Sequence, residues 1–169
     1  MSESTNNWHR HTFTALVANR PGVLARVASL FSRRGFNIDS LAVSATQDPD
    51  LSRISIVVSG DDRILEQVSK QLNKLIDVVR VSDLTRVETV ERELVLIKVA
   101  AGPSQRQEVL SIISVFRAQV VDVGEKSMII EVIGQQEKLD AIERLLKRYS
   151  ILEIVRTGKV VLVRGEKTT

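Results

Sequence analysis

Two asparagines stand at the two ends of one predicted helix, and together they could recognise a small zwitterion. Asn19 opens the turn Asn-Arg-Pro-Gly, and Asn37 follows the helix that begins after that turn. The first backbone N–H groups of a helix have no partner within it and carry partial positive charge, which suits a carboxylate. Because Gly22 has no Cβ, a ligand could approach the amides of Gly22, Val23 and Leu24 closely.

The side chains of the two asparagines supply the remaining polar groups. Asn19 offers an amide donor and a carbonyl acceptor beside the turn, and the carbonyl of Asn37 could accept from an α-ammonium group. This combination predicts a site for a free amino acid that is held by neutral groups. The spacing leaves a structural alternative open, in which Asn19 caps the helix and Asn37 lies in a turn.

The elements that must position these residues occur in one order, which is repeated. Alternating or helically spaced apolar residues predict a strand, a helix, two strands, a helix and a strand, first in one half of the chain and then in the other. This β-α-β-β-α-β order predicts an α+β fold of two tandem ferredoxin-like domains. The predicted boundaries are a disordered tail over residues 1–11, a first domain over 12–84, a linker over 85–93 and a second domain over 94–169.

The two copies differ at the turn between their first strand and first helix. The second copy has "AAGPS" there, without an asparagine, and Ser104 with Gln107 predicts a capping box for its helix. In the first copy, Asp61 or Asp62 is predicted to cap the second helix. A final segment, "KVVLVRG", could add an edge strand. Because the second copy lacks the asparagine, a ligand site of this kind is predicted in the first half alone.

The composition argues against several kinds of site. The chain has no cysteine, and its two histidines, His9 and His11, fall in the predicted N-terminal tail, where we expect them to be solvated. No thiolate chemistry, metal site or histidine base is therefore expected. The formal charge of +3 is too small to indicate nucleic acid, and no apolar run reaches the roughly 20 residues that span a bilayer. We expect a cytoplasmic protein that binds neither nucleic acid nor membrane.

Four segments carry a resemblance to a known family: "NRPGVLARVASLFSRRGFNIDSLAVS", "DLSRISIVVSGD", "VERELVLIKV" and "RTGKVVLVRG". The first half resembles an ACT domain, the ligand-binding module of many enzymes that amino acids regulate. Taken together, the four segments resemble the small regulatory subunits of acetolactate synthase, also called acetohydroxyacid synthase (AHAS). The resemblance extends from about Phe13 to Gly165, which is nearly the whole chain.

In that family the ACT domain binds a feedback inhibitor, usually valine, between the two protomers of a dimer. The resemblance implies valine or another branched-chain amino acid as effector, and a homodimer whose ACT sheets join edge to edge. One protomer would supply the turn, and its partner would supply the segment after the helix. The effector-binding residues that the resemblance implies are Asn19, Gly22, Val23 and Leu24 from one protomer and Asn37 and Ile38 from the other.

The resemblance further implies a non-catalytic role, with no catalytic residue and no cofactor in this chain. The chain would bind the catalytic subunit of acetolactate synthase, a thiamine-diphosphate enzyme, and its second domain would contact and activate that subunit. Thiamine diphosphate, Mg2+ and FAD are expected in the catalytic partner only. Binding would raise the partner's activity, and valine would then lower it.

Other classes of protein share this fold, although the residues indicate them more weakly. An ACT-type regulator of another enzyme would have the same first domain. "RRGFNI" has the Arg-Gly-Phe start of an RNA-binding aromatic motif, but it joins a helix to the second strand and the later aromatic residues are missing. Arg20 and Asn37 loosely resemble the arginine and asparagine of an acylphosphatase, but the turn lacks the run of glycines and small residues of a phosphate cradle.

Overall fold

The computed structural model describes residues 9–169, which form two compact units. The first unit contains the chain up to Val90 together with Lys159–Thr169, and the second unit contains Glu91–Gly158. The first unit is therefore built from two separate stretches of the sequence. The predicted second domain, 94–169, differs from this division at its end, because its last residues group with the first unit. No helix in the described part of the chain is long and apolar enough to cross a membrane.

The first unit has the predicted order of strands and helices. Its elements are β1 (His9–Ala18), α1 (Val23–Arg34), β2 (Ile38–Ala45), β3 (Leu51–Gly60), α2 (Asp62–Leu72) and β4 (Val78–Asp83). The four strands form one antiparallel sheet in the order β2-β3-β1-β4. This arrangement confirms the ferredoxin-like fold that the sequence predicts for the first half.

One face of this sheet carries the core of the first unit. Phe13 on β1 lies opposite Ile56 on β3, and directly opposed residues point to the same face of a sheet. Both side chains are fully buried, and Phe31 from α1 is buried in the same cluster. Burying a side chain of this size contributes about 1.5–3 kcal/mol. The core therefore holds α1 against the sheet, and with it the two asparagines at the ends of the helix.

The second unit repeats the plan. Its elements are β5 (Thr89–Ala100, which begins in the first unit), α3 (Arg106–Val115), β6 (Gln119–Val123), β7 (Ser127–Gly134), α4 (Gln136–Leu146), a short 3-10 helix (Lys147–Tyr149) and β8 (Ile151–Arg156). The strand order is β6-β7-β5-β8, and the neighbouring strands are antiparallel. The predicted extra strand is β9 (Val160–Val163), which pairs with β5. The two tandem ferredoxin-like folds are thus both confirmed.

The N-terminal tail predicted over residues 1–11 is contradicted at residues 9–11. Of the tail expected over residues 1–11, residues 1–8 lie outside the described part of the chain. The remainder belongs to β1, because the pairing of β1 with β3 continues to His9, which lies opposite Gly60. His11 is only 2% exposed, and its Nε2 donates to the carbonyl of Gly60 over 3.0 Å. The expectation that His11 is solvated was therefore wrong.

The start of α3 and the linker over 85–93 both differ from the sequence predictions. α3 begins at Arg106 and has no side-chain cap, so the capping box predicted from Ser104 and Gln107 was wrong. The N–H of Gln105 donates to the carbonyl of Gly102 over 2.9 Å, and the N-cap position falls on Gln105, one residue after Ser104. The predicted linker over 85–93 is partly a strand, because β5 already begins within it.

The C-terminal segment, Lys159–Thr169, folds back onto the first unit. The N–H of Lys159 donates to Ser40 Oγ on β2 over 2.9 Å. At the other end, the Arg53 guanidinium on β3 donates to the hydroxyl of Thr169. Val161, between these two anchors, is 3% exposed. Arg53 adjoins a core residue of β3 and therefore points away from α1 and α2. We call the face to which it points the outer face of the first sheet.

Candidate functional site

The turn before α1 depends on a glycine. Gly22 occupies the N-cap position with φ of +84°, a left-handed conformation that strains residues with a side chain. A Cβ at this position would meet only a side-chain atom of Arg26, at 3.7 Å. The backbone conformation therefore requires glycine here, and crowding does not. The N–H of Val23 reaches the carbonyl of Arg20 over 3.4 Å, which is too long for a strong hydrogen bond.

Asn19 ties this turn to the loop between β2 and β3. Its Nδ2 donates to the carbonyl of Pro49 over 2.9 Å, and its backbone N–H donates to the carbonyl of Asp50 over 2.7 Å. Because α1 has no side-chain cap, the alternative in which Asn19 caps the helix is excluded. The other amide hydrogen and the carbonyl of Asn19 have no partner within residues 9–169, so both remain available to a ligand.

The two residues after Gly22 differ in what they can offer a ligand. Val23 is 3% exposed and packs in the core, so only its backbone can contribute to a site. Leu24 is 43% exposed and presents an apolar side chain near the turn. The predicted site residues of this segment thus provide backbone N–H groups, one amide side chain and one apolar surface.

A cation that the sequence analysis missed also lies beside the turn. Arg26 follows Gly22 by four residues, so its side chain lies over the first turn of the helix. That spacing in the sequence could have identified Arg26 as a neighbour of the turn. Its guanidinium lies 2.7 Å from the carboxylate of Asp77. The carbonyl of Asp77 in turn accepts from the N–H of Ala18 over 2.8 Å. This ion pair holds the end of β1 near the start of α1.

Asn37 lies at the opposite end of α1, after the left-handed Gly35 that ends the helix. The Nδ2 of Asn37 donates to Asp39 Oδ1 over 3.0 Å. The other carboxylate oxygen of Asp39 accepts from the hydroxyl of Ser59 and lies 3.7 Å from the Nε of Arg10. Asp39 therefore fixes the amide end of Asn37, whose carbonyl has no partner among the described residues. That carbonyl is available to accept from a ligand.

Ile38 begins β2, which is an edge strand of the sheet. It lies opposite Val58 on β3 and packs partly against the core of the first unit. Among the described strands, β2 has a neighbour on one side only. An edge strand of this kind offers unpaired backbone N–H and C=O groups to a second chain.

One protomer does not bring the two asparagines together. α1 contains 12 residues, and a helix rises 1.5 Å per residue, so Asn19 and Asn37 are separated by roughly 18 Å along its axis. A free amino acid cannot bridge this distance. The structure thus provides two half-sites, one at each end of α1, and a shared ligand would require a second copy of the chain.

The corresponding turn of the second unit is closed by a different side chain. Arg106, the first residue of α3, donates through its guanidinium to the carbonyls of Gly124 and Glu125, the latter over 2.8 Å. These carbonyls belong to the loop between β6 and β7, which corresponds to the loop that Asn19 contacts in the first unit. The corresponding turn of the second unit has no asparagine.

Two titratable side chains of the second unit have shifted pKa values, and both are structural. Burial raises the pKa of Tyr149, and so does its hydrogen bond to Glu108 over 2.8 Å. Burial opposes protonation of Arg156, but the carboxylates of Glu93 and Asp140 outweigh it and raise the pKa of Arg156. Both shifts reinforce the usual protonation state, so neither group is poised for acid–base chemistry. Residues 9–169 contain no cluster of three His, Asp or Glu side chains that could hold a metal ion.

The geometry does not favour the RNA-binding or acylphosphatase alternatives. The aromatic residue of "RRGFNI" is Phe36, which packs against the core instead of forming a stacking platform on the sheet. Phe13 and Phe31 are buried in the same core. Arg20 and Asn37 flank opposite ends of α1, too far apart to hold one phosphate group.

Comparisons with known proteins agree with this arrangement of two related units. A family model described as the small subunit of acetolactate synthase matches residues 92–165. A second one, described as an AHAS small subunit-like ACT domain, matches residues 13–80. The two matches together cover most of the chain and divide it into the same two halves as the repeated strand order.

Individual relatives match over almost their whole length. A probable acetolactate synthase small subunit from Archaeoglobus fulgidus is 55% identical over 94% of this chain and 99% of that protein. The acetolactate synthase small subunit of Mycolicibacterium smegmatis is 50% identical over 96% of each chain. The crystal structure of the small subunit from Thermotoga maritima superposes with a TM-score of 0.87 at 41% identity, covering 94% of this chain and 99% of that one. The chain therefore belongs to the family of acetolactate synthase small subunits.

Proposed function

We propose that this chain activates the catalytic subunit of acetolactate synthase and makes that enzyme sensitive to feedback inhibition by valine. Membership of the small-subunit family implies a catalytic subunit as its partner. The finer proposal is carried by one observation, the pair of half-sites at the opposite ends of α1. Each half-site has unsatisfied polar groups of the kind that one end of an amino acid needs.

The half-site before α1 is suited to the carboxylate of valine. The left-handed Gly22 exposes the N–H groups at the positive end of the helix dipole. Asn19 adds its second amide hydrogen. The exposed side chain of Leu24 provides an apolar surface for the branched side chain of the effector.

The half-site after α1 is suited to the α-ammonium group. The carbonyl of Asn37 is the acceptor, and the hydrogen bond from its Nδ2 to Asp39 fixes its orientation. Because the half-sites of one protomer are about 18 Å apart, a homodimer through the free edge of β2 would have to join each turn to the partner's Asn37. The effector would then be held between protomers and would strengthen the dimer.

Titration of valine into the purified chain by calorimetry tests the effector site. We expect saturable binding of about one valine per protomer and a loss of affinity of about tenfold or more in Asn37→Ala, because a hydrogen bond to a charged group is lost. The matched control is Asn73→Ala, since Asn73 follows α2 and its amide bonds only to the carbonyl of Ser69. Asn37→Ala should still activate the catalytic subunit. Unchanged valine binding in Asn37→Ala would refute the assignment.

A hybrid dimer tests whether the site is shared between protomers. One chain carries Asn19→Ala and the other Asn37→Ala, with different tags so that the mixed dimer can be purified. In a shared site, one position of the hybrid loses both asparagines and the other keeps both. We therefore expect half the valine stoichiometry with the unmodified affinity. A site built within one chain would instead leave the hybrid without any intact position.

A further inference from the structure

A cavity of about 550 Å3 lies on the outer face of the first sheet, and none of the residues assigned to the valine site lines it. Its floor includes the apolar side chains of Leu16 on β1 and Leu51 on β3. Arg53 and Arg80 also line it, and residues 165–169 of the C-terminal segment cover it. All of these residues belong to the first unit.

Strand register places the two arginines on either side of one leucine. Leu16 lies opposite Arg53 on β3 and opposite Arg80 on β4. Directly opposed residues share a face, so all three side chains point into the cavity side of the sheet. Neighbouring strands are about 4.8 Å apart, which puts the two arginine backbones roughly 10 Å from one another. Side chains of this length can converge on one small ligand above Leu16.

Neither arginine has a carboxylate partner within residues 9–169. Other arginines of the chain are paired, such as Arg26 with Asp77 at 2.7 Å and Arg156 with Glu93 at 3.2 Å. Arg53 instead donates to the neutral hydroxyl of Thr169. Arg80 is exposed at the rim.

Two acidic side chains, those of Asp48 and Glu166, also line the cavity. The basic side chains of the lining are those of Arg53, Arg80 and Lys167. Asp48 is partly satisfied, because its Oδ1 accepts from the N–H of Asp50 over 3.0 Å. The side chains of the lining therefore carry one net positive charge. Two guanidinium groups without carboxylate partners can bind a carboxylate or a phosphate through paired N–H donors.

We propose that Arg53 and Arg80 bind the oxyanion group, carboxylate or phosphate, of a small organic ligand whose apolar part rests on Leu16 and Leu51. Thr169 occupies the guanidinium of Arg53 when the ligand is absent, so the end of the C-terminal segment must yield to it. The site is separate from the valine site, and its ligand needs no α-ammonium group.

Calorimetry with three probes tests this site on the full chain. Hexanoate and butyl phosphate each combine an oxyanion with an apolar tail, whereas inorganic phosphate has no tail. We expect saturable binding of at least one tailed probe, with inorganic phosphate weaker than butyl phosphate, and the better tailed probe identifies the oxyanion. Binding should move the backbone amide signal of Gly165 in NMR spectra and should persist in Asn37→Ala.

Substitutions decide whether the arginines make the site. Arg53→Gln and Arg80→Gln should each weaken the better probe about tenfold, whereas Arg33→Gln, on the exposed face of α1, should not change it. Thr169→Ala should strengthen binding severalfold, a gain that misfolding cannot produce. The proposal is overturned if no probe saturates, if the glutamine variants bind as well as the unmodified chain, or if Thr169→Ala weakens binding.

Discussion

In each unit a side chain links the turn before the first helix to the loop between the next two strands, but the two units use different residues for this link. The first unit uses the short amide of Asn19, which donates one hydrogen to Pro49 and keeps its other polar groups free. The second unit uses the guanidinium of Arg106, which donates to the carbonyls of Gly124 and Glu125. The same position of the fold keeps free polar groups in one copy and is bridged by an arginine in the other.

The arginine link and the asparagine link are expected to differ in their effects on ligand binding and on the stability of the fold. An arginine that spans the turn and the loop supplies charge-assisted hydrogen bonds. A single asparagine supplies a weaker link but keeps a donor and an acceptor without a partner among the described residues. The two copies of the fold thus differ in how many polar groups they leave free at this turn. Four predictions follow from this contrast, and each would either weaken it or make it more exact.

The largest effect is expected on valine affinity. Asn19→Ala should weaken valine binding by about 10- to 100-fold, because a hydrogen bond to the charged carboxylate and the link to the loop are both lost. Arg106→Ala should leave valine affinity unchanged. Calorimetry on both variants measures this, and an equal loss in the two would mean that the units are not specialised.

The reverse result is expected for stability. Arg106→Ala should lower the free energy of unfolding by about 2 kcal/mol, since the carbonyls of Gly124 and Glu125 lose their charged donor. Asn19→Ala should lower it by about 1 kcal/mol, as expected for one exposed neutral hydrogen bond. Urea unfolding followed by circular dichroism gives both values. A larger loss in Asn19→Ala would reverse the contrast between the two units.

The glycines of the two turns should also differ. Gly22→Ala places a side chain at φ of +84° and should lower the free energy of unfolding by about 1–2 kcal/mol. Gly102, in the corresponding turn of the second unit, has no positive φ, and a Cβ there would meet nothing within 4 Å. Gly102→Ala should therefore change stability by less than about 0.5 kcal/mol. Similar losses in the two variants would show that backbone strain is not what distinguishes the turns.

The smallest effect is expected from the residue that holds Asn37. Asp39→Ala removes the acceptor of the Asn37 amide and should weaken valine about threefold, because the side chain must then be ordered by the ligand itself. The control is Asp83→Ala, whose carboxylate accepts from Thr85 at the end of β4. Competition calorimetry can resolve a difference of this size. An unchanged affinity in Asp39→Ala would remove Asp39 from the site.

Most of the fold could be predicted because its signals are local. Alternating apolar residues in β1 and β3 and the helical spacing in α1 specify buried faces, and those faces determine the sheet order of a ferredoxin-like unit. The left-handed turn at Gly22 is likewise local, because it requires a glycine at that position.

Apart from the capping box predicted for α3, the errors concern interactions between distant residues. His11 is polar and close to the chain end, but its burial depends on β3, which pairs with it through residues almost 50 positions away. The bond from Asn19 to Pro49 is of the same kind. The apolar alternation of β9 identifies a strand without identifying the unit that it joins, so the return of the C-terminal segment could not be predicted.

The return of Lys159–Thr169 also determines the order in which the protein can be assembled during synthesis. The first unit cannot be completed until all of Glu91–Gly158 has left the ribosome, which takes roughly 3–14 s at ordinary elongation rates. Throughout that interval the outer face of the first sheet lacks the residues of the C-terminal segment that later line the cavity there, such as Leu162 and Val163. The nascent first unit is therefore most exposed to wrong partners while the second unit is being made. Complete protomers, and any dimer that needs them, can form only after Lys159–Thr169 has been synthesised.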